Sequence, residues 1–224
     1  MKKPSFREEK KIWKKGYEFV IGVDEVGRGS FAGPVVAGGV IFRKGSNFKE
    51  GILLETNDSK LLNPKKRKML SKEIRNVAVV YTISVVGVSV INKLGIKKAT
   101  EKAFRKAISS IISKTSKNPE YSIFNTKYYL LADGFHIKYI RGIGLVNQKA
   151  IVKGDRKSIS IAAASIIAKV HRDKIMKKLN RKYLGYGFAK NKGYGTKFHQ
   201  AALKKYGLTK IHRTSFNLEK FLNH

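Results

Sequence analysis

Phe19-Val20-Ile21-Gly22-Val23-Asp24-Glu25-Val26-Gly27-Arg28-Gly29 sets an apolar run directly before an acid pair and a glycine-flanked arginine. The aromatic and β-branched start reads as a buried strand, Phe19–Asp24, and the acids stand where it ends. Two later runs are built alike. Tyr128-Tyr129-Leu130-Leu131-Ala132 leads into Asp133, and Ala150-Ile151-Val152-Lys153-Gly154 leads into Asp155. Acids at the ends of three strands can converge, so that four carboxylates would share one rim of a sheet. Such a cluster repels itself unless cations share it.

The whole-chain charge sharpens the point. Lys+Arg number 48 against 15 Asp+Glu, for a formal +33 over 224 residues. A chain this basic is suited to a polyanion such as nucleic acid. Four of its 15 acids stand at the ends of apolar runs, where they would only weaken phosphate binding. A divalent-metal site inside a polyanion-binding protein means a metal-dependent nuclease. The hydrophobic fraction of 42% supports a real core. With Cys at 0, disulfides and thiolate metal sites are excluded. The N-terminus carries no apolar stretch before Phe19 and no run approaches a membrane span, so a cytoplasmic protein without membrane contact is expected.

The remaining pattern predicts an α/β domain. Residues 1–16 read as a basic, loosely ordered lead-in. A second strand covers Val35–Phe42 and a long third strand covers Val77–Ile91. Helices are predicted from Asn63-Pro64 to Arg75, over Ile96–Ile112, over Ser158–Tyr183, and from Tyr194 or Thr196 to Tyr206, with a last short one from Ser215. Residues 43–57 and 113–126 read as polar connections, and 148–155 as the fifth strand. Residues 17–190 are assigned to a catalytic body, and 191–224 to a helical C-terminal segment of the same domain.

Seven blocks occur in one order: GVDEVGRG, AGPVVAGGVIF, DSKLLNPKKRKML, LLADG, VKGDRKSISIAAASIIAKVHRD, GYGTKFH and HRTSF. Together they resemble the ribonuclease HII family, the bacterial type 2 ribonucleases H. The resemblance implies a ribonuclease-H-like fold: a central mixed five-stranded sheet, helices on both faces and a C-terminal helical extension. It implies endonucleolytic cleavage of RNA in RNA–DNA hybrids, and at ribonucleotides embedded in duplex DNA, leaving 5′-phosphate and 3′-hydroxyl ends. That activity would serve ribonucleotide excision repair. It makes Asp24, Glu25, Asp133 and Asp155 the catalytic, metal-binding carboxylates, holding Mg²⁺ or Mn²⁺, with two ions during catalysis. A monomer is expected. Ser30 stands where members usually carry Pro, and Arg156 follows Asp155 where they carry a small or neutral residue. The sister type, ribonuclease HIII, typically has Lys at the Arg28 position and a large extra N-terminal domain.

Hard, oxygen-preferring Mg²⁺ suits carboxylates without Cys or His. Two ions about 3.5–4 Å apart activate a water and stabilise the leaving oxygen. Adjacent strand residues point to opposite faces, so Asp24 takes the central role and Glu25 a supporting one. Gly27-Arg28-Gly29 is at minimum a tight turn. Beside the acids it is a candidate reader of phosphate and the 2′-OH, the group that separates RNA from DNA. Tyr194, flanked by glycines, is either a packed aromatic or a ring against the next sugar, and the family pattern favours the sugar. Asp58-Ser59-Lys60 is an Asx turn or a phosphate contact through Lys60. Ser158 most simply caps the long helix, with a phosphate-facing role as the alternative. His199 and His212 read as structural. Rival functions are a junction resolvase of the same fold and a non-catalytic basic binder.

Overall fold

The computed structural model describes residues 3–44, 62–122 and 127–222. Asp58-Ser59-Lys60 lies outside them. Five strands form one sheet: β1 (Phe19–Val26), β2 (Val35–Arg43), β3 (Val80–Val86), β4 (Tyr128–Asp133) and β5 (Gln148–Ile151), in the order β3-β2-β1-β4-β5. β1–β2 and β2–β3 are antiparallel, whereas β1–β4 and β4–β5 are parallel. The parallel pairing brings the C-terminal ends of β1 and β4 to one edge, which is where their acids stand.

Alternation along β1 builds two core layers. Phe19, Ile21 and Val23 pack on α3 (Val88–Ser116) through Ala103, Phe104, Ala107, Ile108 and Ile111. Val20 points the other way, to α2 (Pro64–Val77) and α5 (Ile159–Lys182). All four β1 side chains are fully buried, and each contributes about 1.5–3 kcal/mol of apolar transfer. α5 lies so close to the sheet that a Cβ on Gly38 would come within 2.3 Å of the Ala164 carbonyl oxygen. That contact explains a glycine inside a central strand. Beyond the sheet, α6 (Phe188–Asn191), α7 (Lys197–Tyr206) and a 3₁₀ turn (Glu219–Phe221) form the C-terminal extension. Its own small core, Phe188, Ala202 and Leu203, closes on Met176 of α5 and on Ala32.

Four sequence expectations are corrected. The lead-in is not loose: α1 (Arg7–Trp13) buries Glu9, Ile12 and Trp13. Glu9 Oε1 accepts from Ser158 Oγ (2.6 Å), Ser160 N (2.9 Å) and Ser160 Oγ (2.6 Å), pinning α1 to the start of α5. The predicted strand Val77–Ile91 splits into the end of α2, a shorter β3, and a helix entered after Gly87. Val88, Val90 and Ile91 have strand propensity, but Ile91 is buried in the α3 layer, and tertiary packing overrides the local preference. A kink at Gly95 (φ 74°) precedes the helix predicted from Ile96, which runs on to Ser116. Within 113–126, a one-turn α4 (Pro119–Ser122) stands where only a connection was expected. Finally, β5 stops at Ile151, so Asp155 sits in a 3₁₀ turn, Gly154–Arg156, and not at a strand end.

Candidate active site

A cavity of about 390 Å³ opens at the edge shared by β1 and β4. It is lined by Asp24, Glu25, Asp133 and Asp155, by Gly27-Arg28-Gly29, by Tyr194, and by Ser165 and Lys169 of α5. Nine of the ten residues singled out in the sequence are described, and eight of these nine meet here. Ser158 does not. It is fully buried, accepts from Ile161 N (3.2 Å) as the N-cap of α5, and donates to Glu9. The capping reading holds for it and the phosphate reading is withdrawn.

Asp24 and Glu25 both line the cavity although they are strand neighbours. Asp24 faces α5 and is almost fully buried, its carboxylate bonded by Ser165. Glu25, one methylene longer, runs along the rim to Arg28, with Nη1–Oε1 at 3.3 Å. Its second oxygen, Oε2, is buried with no protein partner. Asp133 Oδ1 accepts from Gly154 N at 2.6 Å, which ties the end of β4 to the turn that carries Asp155. The chain between β5 and α5 thus brings the fourth acid to the other three without a strand.

The electrostatics record the crowding. Burial, then the charges of Glu25 and Asp133, holds the Asp24 carboxyl well above the usual range, against the Ser165 hydrogen bond. Burial likewise pushes Glu25 up to about 7, with Asp133 adding to it and Arg28 opposing. Carboxyls that resist ionising together, and a buried carboxylate oxygen without a protein partner, fit a hard divalent cation. Among the described residues, no three acid or imidazole side chains already converge as a cage for one ion. The donors line the walls of a shared cavity instead.

Beneath the cavity a clamp holds the Arg28 turn against the Tyr194 loop. Arg172 is fully buried, and donates to the carbonyls of Pro34 (2.9 Å), Lys192 (2.9 Å) and Ala32 (3.2 Å). Its guanidinium occupies the space that a side chain on Gly27 would need, since a Cβ there would lie 2.1 Å from Nε. Gly27 also has φ 98°, so both space and backbone require glycine. Arg213, also fully buried, donates to Arg28 O (2.7 Å) and Gly33 O (3.0 Å). Burial and then the Arg172 charge lower it to about 9.

A histidine chain completes the clamp. Thr209 N donates to His212 Nδ1 (2.8 Å), so the His212 proton sits on Nε2 and is donated to His199 Nε2 (3.0 Å). His199 then donates from Nδ1 to Tyr194 O (3.0 Å). Neutral histidines are therefore part of the structure. Burial first, then His199, pushes His212 down to about 4. Sequence reading missed Ser165, Lys169, Arg172 and Arg213. Ser165, Lys169 and Arg172 recur at helical spacing on α5, and that one-faced polar stripe in an apolar helix was the available signal.

A mixed five-stranded sheet carrying four carboxylates at one edge defines the ribonuclease-H-like class of nucleases. Within that class, residues 21–219 match the family model for Ribonuclease HII. A Ribonuclease HII of Caldanaerobacter subterraneus subsp. tengcongensis is 46% identical over 214 residues, covering 96% of this chain and 80% of that protein. The ribonuclease H2 crystal structure from Pyrococcus horikoshii OT3 superposes with a TM-score of 0.68 at 25% identity, over 91% of this chain and 98% of the other. The structure of Bst-RNase HIII in complex with Mn²⁺ gives a TM-score of 0.68 at 20% identity over 91% of this chain and 68% of the other, a likeness of fold. The chain belongs to the ribonuclease HII family and is an endoribonuclease, a phosphodiester hydrolase.

Proposed function

We propose that this chain hydrolyses the RNA strand of RNA–DNA hybrids and cuts duplex DNA at embedded ribonucleotides, leaving 5′-phosphate and 3′-hydroxyl ends. The observation that carries this reading is the cavity shared by four carboxylates, the Gly27-Arg28-Gly29 turn and Tyr194. Carboxylates alone would fit many nucleases. A backbone turn able to meet a 2′-OH, with an aromatic ring across from it, favours a substrate containing ribose. The same pairing argues against a junction resolvase, and the acids argue against a passive binder.

Asp24, Glu25, Asp133 and Asp155 would hold Mg²⁺ or Mn²⁺, as two ions during catalysis. A related fold was solved with Mn²⁺ bound. When bound, such ions supply Lewis acidity and an activated water. The protein's own groups do the rest. Asp24, at the centre of the cluster and bonded by Ser165, fixes the position of the shared charge. Arg28 tethers Glu25 and adds a cation at the cavity mouth. Tyr194, stacked on Arg172, offers its face to the sugar that follows the ribonucleotide. Residues 17–190 serve as the catalytic body, and 191–224 line the substrate groove.

The test is a labelled duplex with one ribonucleotide, incubated with Mg²⁺, Mn²⁺ or EDTA. A single cut at the ribonucleotide in either metal and none in EDTA is expected. Cutting of an all-DNA junction, or no cutting in any metal, would remove the reading.

A further inference from the structure

We propose that the groove between α2 and α5 is a second nucleic-acid-binding site, a track for the phosphodiester backbone of the duplex beyond the cleavage step. The class of ligand rests on the function proposed above; the site itself rests on its own geometry. The groove measures about 800 Å³. Lys65, Lys68, Lys72 and Arg75 of α2 form one wall, and Lys174 and Lys178 of α5 form part of the other. Among the described residues, no carboxylate lines it. Met69, Ser71, Val170 and Ile175 also line it.

The spacing suits a chain of phosphates. On α2 the cations recur every three or four residues, so they share one helix face about 4.5–6 Å apart. One strand of a duplex presents a charge about every 3.4 Å of axis, so cations at this pitch meet successive or alternate phosphates. His171, which also lines the groove, is pushed down by burial and then by the charges of Arg75 and Lys174, consistent with a cationic field there. Such a field attracts a polyanion by releasing its counterions.

The groove and the catalytic cavity share one helix. Ser165 and Lys169 of α5 face the cavity, whereas Val170, His171, Lys174 and Lys178 turn to the groove. Thirteen residues separate Ser165 from Lys178, about 20 Å along the axis. A duplex held at the cavity must continue about six base pairs past the cleavage step, at about 3.4 Å each, to reach the far lysines. That continuity favours the substrate's own backbone over an acidic protein.

The experiment uses the full chain in EDTA, so that duplexes stay intact, and anisotropy with labelled duplexes of about 10 and 24 base pairs carrying one central ribonucleotide. The probe variant is Lys68→Gln/Lys72→Gln/Lys174→Gln/Lys178→Gln, four exposed positions, with a thermal melt to verify folding. The Kd for the long duplex should rise at least about tenfold, and the salt slope should fall by roughly 3.6, at about 0.9 for each of four lost phosphate contacts. Binding of the short duplex, and its cutting in Mg²⁺, should stay within about twofold. Unchanged binding of the long duplex, or equal weakening of both, overturns the proposal. So does a groove that takes polyglutamate but shows no dependence on duplex length. A wild type that shows the length dependence yet cuts neither duplex would leave the groove standing and remove the reading of the cavity.

Discussion

The guanidinium of Arg172 lies 5.6 Å from the centroid of the Tyr194 ring, while its three donor groups hold the carbonyls of Ala32, Pro34 and Lys192. One buried cation therefore fixes both the backbone that follows the Arg28 turn and the ring across the cavity. Lysine could keep the charge but not the three-way fork. Arg172→Lys should cost about 3 kcal/mol, a fall of about 6–12 °C in Tm, by leaving buried carbonyls unpaired. A melt within 2 °C of the wild type would show that the fork is not what holds the two segments together.

Tyr194 itself is half-buried and closes no core. Tyr194→Ala should lose about 1 kcal/mol with the cation–π contact, and so only about 2–4 °C in Tm. Its cutting of a duplex with one ribonucleotide should fall much further than its cutting of a long hybrid. Equal losses on both substrates with a strongly depressed melt would make the ring structural.

Asp24→Asn carries two expectations of opposite sign. Cleavage in Mg²⁺ should drop at least about 10³-fold, about 4 kcal/mol of lost charge stabilisation. In EDTA the same variant should melt higher than the wild type, because an amide relieves a buried carboxyl repelled by Glu25 and Asp133. Residual turnover near wild type, or a lower melt in EDTA, contradicts the assigned role.

His212 gives the pH dependence. Its folded value, about 4, lies below the ordinary 6.5, so the unfolded chain binds the proton more readily between those values. Stability is complete above 6.5 and is lost as pH falls through that window. Burial moves His199 the same way. Between pH 7 and pH 5 the His212 contribution falls by about 2 kcal/mol. Urea midpoints for wild type and His212→Gln at both pH values isolate it, because the carboxylate cluster is common to both. The gap between the proteins should narrow toward pH 5, and a gap independent of pH would refute it.

Glu9 anchors α1. Removing its carboxylate in Glu9→Ala leaves Ser158 Oγ and the amide and hydroxyl of Ser160 without their acceptor, and should cost about 2–4 kcal/mol. Glu9→Gln keeps the accepting oxygen and should stay within about 1 kcal/mol, since Oε2 has no protein partner to lose. Equal melts for the two variants would place the anchor elsewhere.

The apolar runs before Asp24 and Asp133, the Asn63 and Ser158 caps and the α5 pattern were legible from residues 19–183, because strand alternation and capping are local consequences of side-chain chemistry. The seven ordered blocks also fixed which carboxylates to watch. Local reading erred where burial reversed propensity, as at Val88–Ile91, and where a charge was hidden, as at Glu9 and Arg172. Spacing in sequence carries no signal that a lysine-rich lead-in will dock a glutamate onto a helix start 149 residues away. Nor does it reveal that two histidines 13 residues apart will share one proton beneath a tyrosine loop. Those relationships come from the parallel β1–β4 pairing and the close seat of α5 on Gly38, which bring distant segments to one edge. The sequence determined which chemical groups the protein possesses; the tertiary structure decided which of them meet, because only packing sets the distances on which hydrogen bonds and charges depend.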